Sequence, residues 1–389
     1  MSKNIAVLGG GILGLTVATV LRVAGFSVRI YSEKEISDAG ATNDPLFASA
    51  YPAASVIPHT VQAERLDRLV EDSNRVFQQL AEGMHRGVRI QKHYEIAEGG
   101  IDTPDYVDAL LNFQRCAQSE LPVRREGAGS VEGYLFDCFF CDMPTYGPWL
   151  QQLVRTLGVE IVRQRVAVDW LRSQNPDFIV NCLGAGAHKV FDDLDPGQIV
   201  KGILLLSDMH SEGSDFTSYN YSPACEVYPS FQGDGSSDVY FYQRHDHAIL
   251  GGTRQRGNLV NGVFIPDEPA RCDYIRIGDI DVPAPIIDLN AQLLKQLIGR
   301  GPGPILKVLV GYRHLHIDAG GRECVALGLQ DRSGIAPVVD CFGFGGAGVT
   351  LSWGAALRCA NLIAHQEGQK EITLDAILHE LKRHSGLGR

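Results

Sequence analysis

The chain has 389 residues, enough for two domains that each bury a core, and its composition, 44% apolar and 21% charged, is that of an ordinary globular protein. A formal net charge of −11 argues against a nucleic-acid partner, whose binding rests on Lys and Arg meeting phosphates. No run approaches the roughly 18 apolar residues of a membrane span, so no membrane partner is expected, and an odd count of 9 cysteines favours a reducing compartment over a disulfide framework.

In chain order, residues 5–8 read as a strand, 9–14 as a glycine-rich turn, 15–24 as a helix stopped by Gly25, and 26–31 as a second strand. A loop and an Ala- and Ser-rich stretch follow, then a surface helix over 62–82. After Gly87 come short strands, with a helix predicted over 107–117. Cys138 and Cys141 form a CxxC around Phe139 and Phe140, but further ligands at zinc spacing are missing, and a buried aromatic strand is the plainer expectation. A helix over 147–157 leads to a strand over 159–162. The apolar run 177–183 ends at Gly184, as a buried parallel strand ends at a ligand site. Residues 199–265, rich in β-branched and aromatic side chains, predict an antiparallel sheet, with an exposed turn over 232–238. A helix over 288–299, a strand over 307–311 and a long helix opened by residues 343–348 complete the chain. The order predicts an α/β fold with an α+β insertion. Residues 1–85, 140–195 and 305–389 form a discontinuous Rossmann-like domain, and 86–139 and 196–304 an antiparallel-sheet domain for the substrate.

The chemistry begins at Gly9-x-Gly11-x-x-Gly14. Gly9 permits the turn, Gly11 admits a pyrophosphate to the helix N-terminus, and Gly14 lets helix and strand pack closely. Glu33, at the end of the next strand, can accept hydrogen bonds from ribose hydroxyls. Strand, turn, helix and acid together predict dinucleotide binding, with FAD and NAD both open. Residues 343–348 expose consecutive backbone N–H groups, a nest suited to negative charge.

Stretches along most of the chain resemble the D-amino acid oxidase family of FAD-dependent oxidoreductases. They include residues 9–14, 30–33 and 49–55, then 146–150, 180–186 and 197–198, and finally 251–255, 311–313 and 343–354. The resemblance implies FAD as cofactor. It places Gly9, Gly11, Ile12, Leu13, Gly14, Glu33 and Lys34 on the nucleotide side, with Val166 and Gly184 beside them. It places Ser49, Ala53, Ala54 and Ser55 along the flavin, together with Gly343, Gly345, Gly346, Ala347, Gly348, Val349 and Thr350. The family usually carries His where this chain has Phe344.

On the substrate side, Arg313 follows an apolar strand and matches the Arg with which the family holds the substrate α-carboxylate. An internal salt bridge is the plainer alternative. Arg254 lies in a Gly-Gly-Thr-Arg-Gln segment similar to the D-aspartate oxidase branch, where the Arg is associated with an acidic side chain; a neighbouring Asp or Glu could equally satisfy it. An ungapped match puts Glu226 where family oxidases place a substrate-facing tyrosine. Tyr228, Tyr219 and Tyr221 are the alternatives. His245 and His247, like His314 and His316, alternate on a strand face, and ordinary hydrogen-bonded roles are expected for them.

The resemblance implies hydride transfer from a substrate Cα to flavin N5, with dioxygen as electron acceptor and a small amino acid, D-configured and acidic in one reading, as substrate. Alternatives are an oxidase of a glycine-like, N-methylated or biosynthetic amine, a flavin dehydrogenase with another acceptor, and a non-enzymatic FAD-binding protein. The final residues 386–389 lack a Ser-Lys-Leu type address, so a cytoplasmic location is expected. Oligomeric state is open, a homodimer included.

Overall fold

In the computed structural model, which describes the chain apart from residues 1, 53, 60, 84–86, 210–215, 225–237, 270–271 and 385–389, the chain divides into two compact units. One comprises 1–89, 139–198 and 313–389, the other 90–138 and 199–312. The last crossing lies at 312/313, later than the predicted 304/305. The reason is that Ile305–Ile317 is a single long strand whose first part packs into the second unit's core.

The first unit is built on a six-stranded sheet in the order Ala326–Gln330, Val338–Phe342, Phe178–Asn181, Asn4–Leu8, Ser27–Ser32, Glu160–Arg163. All neighbours are parallel except the first pair. Parallel strands are covered on both faces, which is why Val338–Phe342 and Phe178–Asn181 are buried throughout. Helix Ile12–Val23 packs on Ser352–Gln366, whose small residues Ala355, Ala356 and Ala360 permit close approach. Gly354 is required in that helix because a Cβ there would stand 2.3 Å from the Leu69 carbonyl oxygen. Leu66–Glu82 is the amphipathic helix predicted over 62–82, burying Val70, Val76, Phe77 and Leu80.

The second unit carries most of an 11-stranded sheet whose central order is Gln198–Ser207, Ala248–Gly251, Val239–Gln243, Thr217–Ser222, Val88–Glu98, Val131–Cys141. The predicted antiparallel pairing is found at its centre, but Val88–Glu98 and Thr217–Ser222 run parallel. The period of two gives this sheet two faces. Ile203, Leu205, Tyr219, Tyr221, Val239, Phe241, Ala248 and Leu250 pack with Ile286, Leu289 and Leu293 of helix Ala284–Ile298 to form the core. The opposite face is polar yet buried.

The helix predicted over 107–117 is not present. A short turn, Val107–Ala109, precedes strand Leu111–Cys116, which pairs antiparallel with Val131–Cys141. Pairing across the sheet, with Phe113 and Tyr134 rings 5.2 Å apart, outweighs the local helical spacing. Cys138 and Cys141 are buried on Val131–Cys141, and among the described residues no cysteine is in a disulfide. No described helix is long and apolar enough to cross a membrane.

Candidate functional site

The glycine turn is shaped by what surrounds it. Gly9 has φ +105°, and a Cβ there would lie 2.5 Å from the Cys182 carbonyl oxygen; one on Gly14 would lie 1.9 Å from the carbonyl oxygen of Gly9 itself. Strand, turn and helix therefore close only with glycine at both positions. Gly11 caps helix Ile12–Val23 with no side-chain hydrogen bond, and no acidic residue stands in the first turn. The positive end of the helix thus has no carboxylate in its own first turn, where Leu13 and Gly14 contribute amides. Gly10 N–H donates to Ser32 Oγ at 2.9 Å, and Ser32 Oγ donates to the Lys34 carbonyl at 2.7 Å. Ser32, absent from the sequence-predicted site, ties the glycine turn to the end of the second strand.

Two further segments converge on the same helix start. Ser49 Oγ accepts the Ile12 N–H at 2.9 Å, and a Cβ on Gly348 would touch Ile12 Cγ2 at 3.8 Å. The chain beyond Ser49 runs along the end of strand Val131–Cys141: Cys141 N–H donates to Ala54 O at 2.8 Å and Ser55 bridges Phe140. Thr350 Oγ1 then donates to Ile57 O at 3.3 Å, joining this run to the 343–350 segment. Ala53 lies outside the described residues.

Residues 343–350 do not open the helix predicted to follow them, which starts at Ser352 and is itself followed by a further helix, Leu374–His384. They form a separate irregular turn with Gly343 at φ +77° and Gly345 at φ +52°. Gly345 N–H donates to His314 O at 2.9 Å and Ala347 N–H to Phe344 O at 2.8 Å. Among the described residues no backbone acceptor takes the N–H of Gly346, Gly348 or Val349, so these donors suit a negative charge. Phe344 is buried and bridges Leu315, so its ring serves packing.

Glu33 is exposed and stands 3.6 Å from Arg165. Val166 packs in the cluster of Tyr31 and Trp170, beside the end of the second strand. Lys34 pairs with Asp44. Gly184, φ +55°, has open space where a Cβ would point.

Arg313 is half-buried on Ile305–Ile317, one residue before the carbonyl that accepts the Gly345 N–H. The same strand carries His314 and His316, whose rings lie 6.0 and 5.2 Å from Phe342. His314 Nε2 meets Pro196 O at 3.0 Å, and burial pushes its pKa down to about 4. His314 thus serves packing and hydrogen bonding, whereas His316 packs edge-on to Phe342 and its buried Nδ1 has no hydrogen-bond partner among the described residues.

In the second unit the polar face carries a continuous chain of contacts. Gln91 Nε2 donates to Ser218 Oγ at 2.9 Å, which meets His93 Nδ1 at 2.9 Å; His93 Nε2 meets Glu95 Oε1 at 3.0 Å. Asn220 Nδ2 donates to the same Glu95 oxygen at 2.9 Å and accepts from Tyr242 OH at 3.0 Å. Arg254 is on this side, donating from Nη2 to Asp238 Oδ2 at 2.7 Å. Burial alone would lower the Arg254 pKa, but Asp238, with the Tyr242 and Tyr240 hydroxyls and Glu95, holds it above the usual value. Tyr219 and Tyr221 are on the other face, in the apolar core, donating to Asn290 and Glu98; the strand's period of two excludes them from the polar side. Glu226 and Tyr228 lie outside the described residues. Tyr240 and Tyr242 were missed by sequence matching. They stack at 4.9 Å on the polar face, with Tyr240 paired to Gly251. The signal in the sequence is the run Val-Tyr-Phe-Tyr over 239–242, whose alternate residues fall on one strand face.

A parallel sheet, a glycine turn bound to a helix start, and a second amide-rich turn against that helix define a dinucleotide-binding flavoprotein fold. Residues 4–362 match the family model described as FAD dependent oxidoreductase, and the chain belongs to that family. It is 26% identical over 373 residues to D-aspartate oxidase of Homo sapiens, covering 93% of this chain and 95% of that one. It is 28% identical over 360 residues to a D-amino-acid oxidase of Rubrobacter xylanophilus, covering 92% and 94%. Among solved structures, glycine oxidase from Geobacillus kaustophilus shares the fold with a TM-score of 0.62 at 16% identity, over 95% and 96% of the two chains. The protein is an FAD-dependent oxidoreductase. The cradle fits its cofactor, since Gly9 and Gly14 are pressed against backbone, Gly11 against Ser49, and the first turn of the helix holds no acidic residue to compete for its amides.

Proposed function

We propose that the chain oxidises the Cα–N bond of a small D-amino acid to an imine, which hydrolyses to an oxo acid and ammonium. FAD, when bound, supplies the acceptor for the Cα hydride, and dioxygen takes the electrons onward. The observation that carries this reading is the place of Arg313, one residue from the carbonyl that fixes Gly345 in the amide-rich turn. The strand holds the Arg313 backbone next to the segment assigned to the flavin, and a bidentate pair of its guanidinium with an α-carboxylate would orient the substrate there. No acid–base residue is required if the amine enters neutral. The D-configuration and an acidic side chain are supported by the two similar oxidases and by Arg254.

The test is anaerobic reduction of the bound flavin, followed at its visible absorbance, by D-aspartate, D-alanine, glycine, sarcosine and the L-isomers. Bleaching by D-amino acids alone supports the reading. Bleaching by sarcosine or glycine but not by any D-amino acid replaces it with oxidation of a glycine-like amine.

A further inference from the structure

The segment around Arg254 is built to hold one side chain still. A Cβ on Gly251 would stand 2.1 Å from the Tyr240 ring, and one on Gly252, φ +141°, would stand 2.3 Å from the Asp238 carbonyl oxygen. Both glycines therefore let the chain press against the start of strand Val239–Gln243. Thr253 Oγ1 accepts the Ile203 N–H, tying the next residue to a neighbouring strand. The backbone that carries Arg254 is thus clamped on two sides before its side chain is considered.

The side chain is clamped as well. Asp238 is buried, and its Oδ2 takes the Arg254 Nη2 at 2.7 Å. Its Oδ1 is buried with no hydrogen-bond partner among the described residues, so Arg254 is what compensates this carboxylate. The bond uses one of the five guanidinium N–H groups, and Asp238 is the sole hydrogen-bond partner of Arg254 among the described residues. Among the described residues no other acceptor meets this guanidinium, which leaves a two-donor edge for a second carboxylate on a side chain that keeps 23% exposure.

We infer that Asp238 is a positioning residue for substrate choice, orienting Arg254 so that its remaining edge grips the side-chain carboxylate of a dicarboxylic amino acid. The inference rests on the proposed oxidase function. Asp238 neutralises the guanidinium when no substrate is present, and it lowers the ordering cost when one binds. The hydrogen-bonded row from Gln91 to Tyr242 stiffens the same sheet face, so the orientation survives thermal motion.

The experiment compares Asp238→Ala, Asp238→Asn and Asp238→Glu with the wild-type holoenzyme, using D-aspartate and D-alanine in steady state and malonate binding read from the flavin spectrum. Asp238→Ala is expected to raise the KM for D-aspartate and weaken malonate roughly tenfold, with kcat for D-aspartate and KM for D-alanine within about twofold. Asp238→Glu recovers part of the loss, and none of the variants adds an effect in an Arg254→Met background. Parallel losses with both substrates, or tighter D-aspartate binding in Asp238→Asn, overturn the inference. Should Asp238→Ala fail to fold, the isosteric Asp238→Asn decides by the same KM ratio. If wild type oxidises D-alanine but not D-aspartate, this inference fails and the oxidase function stands; if it oxidises neither, the function fails with it.

Discussion

Ser49 Oγ accepts the backbone N–H of Ile12 at 2.9 Å, and a Cβ added to Gly11 would meet that same oxygen at 2.8 Å. One hydroxyl thus occupies the only side from which residue 11 could carry a side chain without displacing its neighbours. Gly11→Val should fold with a normal far-UV spectrum yet purify colourless. Ser49→Ala, losing one hydrogen bond of about 1 kcal/mol, should retain FAD with roughly fivefold weaker affinity. Titration of apoprotein with FAD measures both; undiminished affinity in Gly11→Val would show that the pyrophosphate does not approach this turn.

Arg313→Lys keeps the charge and loses the planar fork. On the proposed function, kcat/KM for the substrate should fall roughly 10- to 100-fold, mostly through KM, because one bidentate pair becomes a single point contact. Oxygen consumption against substrate concentration separates the two constants. A fall confined to kcat would assign Arg313 to something other than ground-state carboxylate binding.

His314 makes stability depend on pH. Its folded pKa, about 4, is below the value of 6.5 for the free side chain, so the unfolded chain binds a proton that the folded chain refuses. The contribution is fully present above pH 6.5 and is lost as pH falls from there towards 4. The full loss is roughly 3 kcal/mol at 1.36 kcal/mol per pKa unit. His314→Gln, which cannot titrate, should flatten that part of the profile in urea unfolding between pH 7 and 4. An unchanged slope would mean that other groups control acid sensitivity.

Asp340 anchors the sheet next to the amide-rich turn. It accepts from Asn181 Nδ2 at 2.9 Å and from Arg332 at 2.9 and 3.2 Å, with Arg332 also bound to Asp193. Asp340 is buried and the Arg332 side chain keeps 9% exposure, so removing the carboxylate leaves this cation with only the exposed Asp193 as its ion-pair partner among the described residues. Asp340→Ala should cost about 3–5 kcal/mol. The urea midpoint reads this directly, and a loss below about 1 kcal/mol would show that Asp193 alone satisfies Arg332.

The sequence by itself determined the nucleotide-binding half. Gly9 and Gly14 are legible because part of their requirement is local: Gly9 turns the chain at φ +105°, and a Cβ on Gly14 would meet the carbonyl oxygen of Gly9 itself. Buried parallel strands such as Phe178–Asn181 are equally plain, being apolar on both faces. The 107–117 segment went wrong because a strand's stability comes from its partner, here Val131–Cys141, and not from its own spacing. Tertiary structure alone decided that Tyr219 and Tyr221 face the core while Tyr240 and Tyr242 share the polar face with Arg254. A strand alternates sides with every residue, and only pairing across the sheet fixes which side is which. It alone also brought Asp238 to Arg254 and Ser49 to Ile12, contacts between residues distant in the chain that no local pattern encodes.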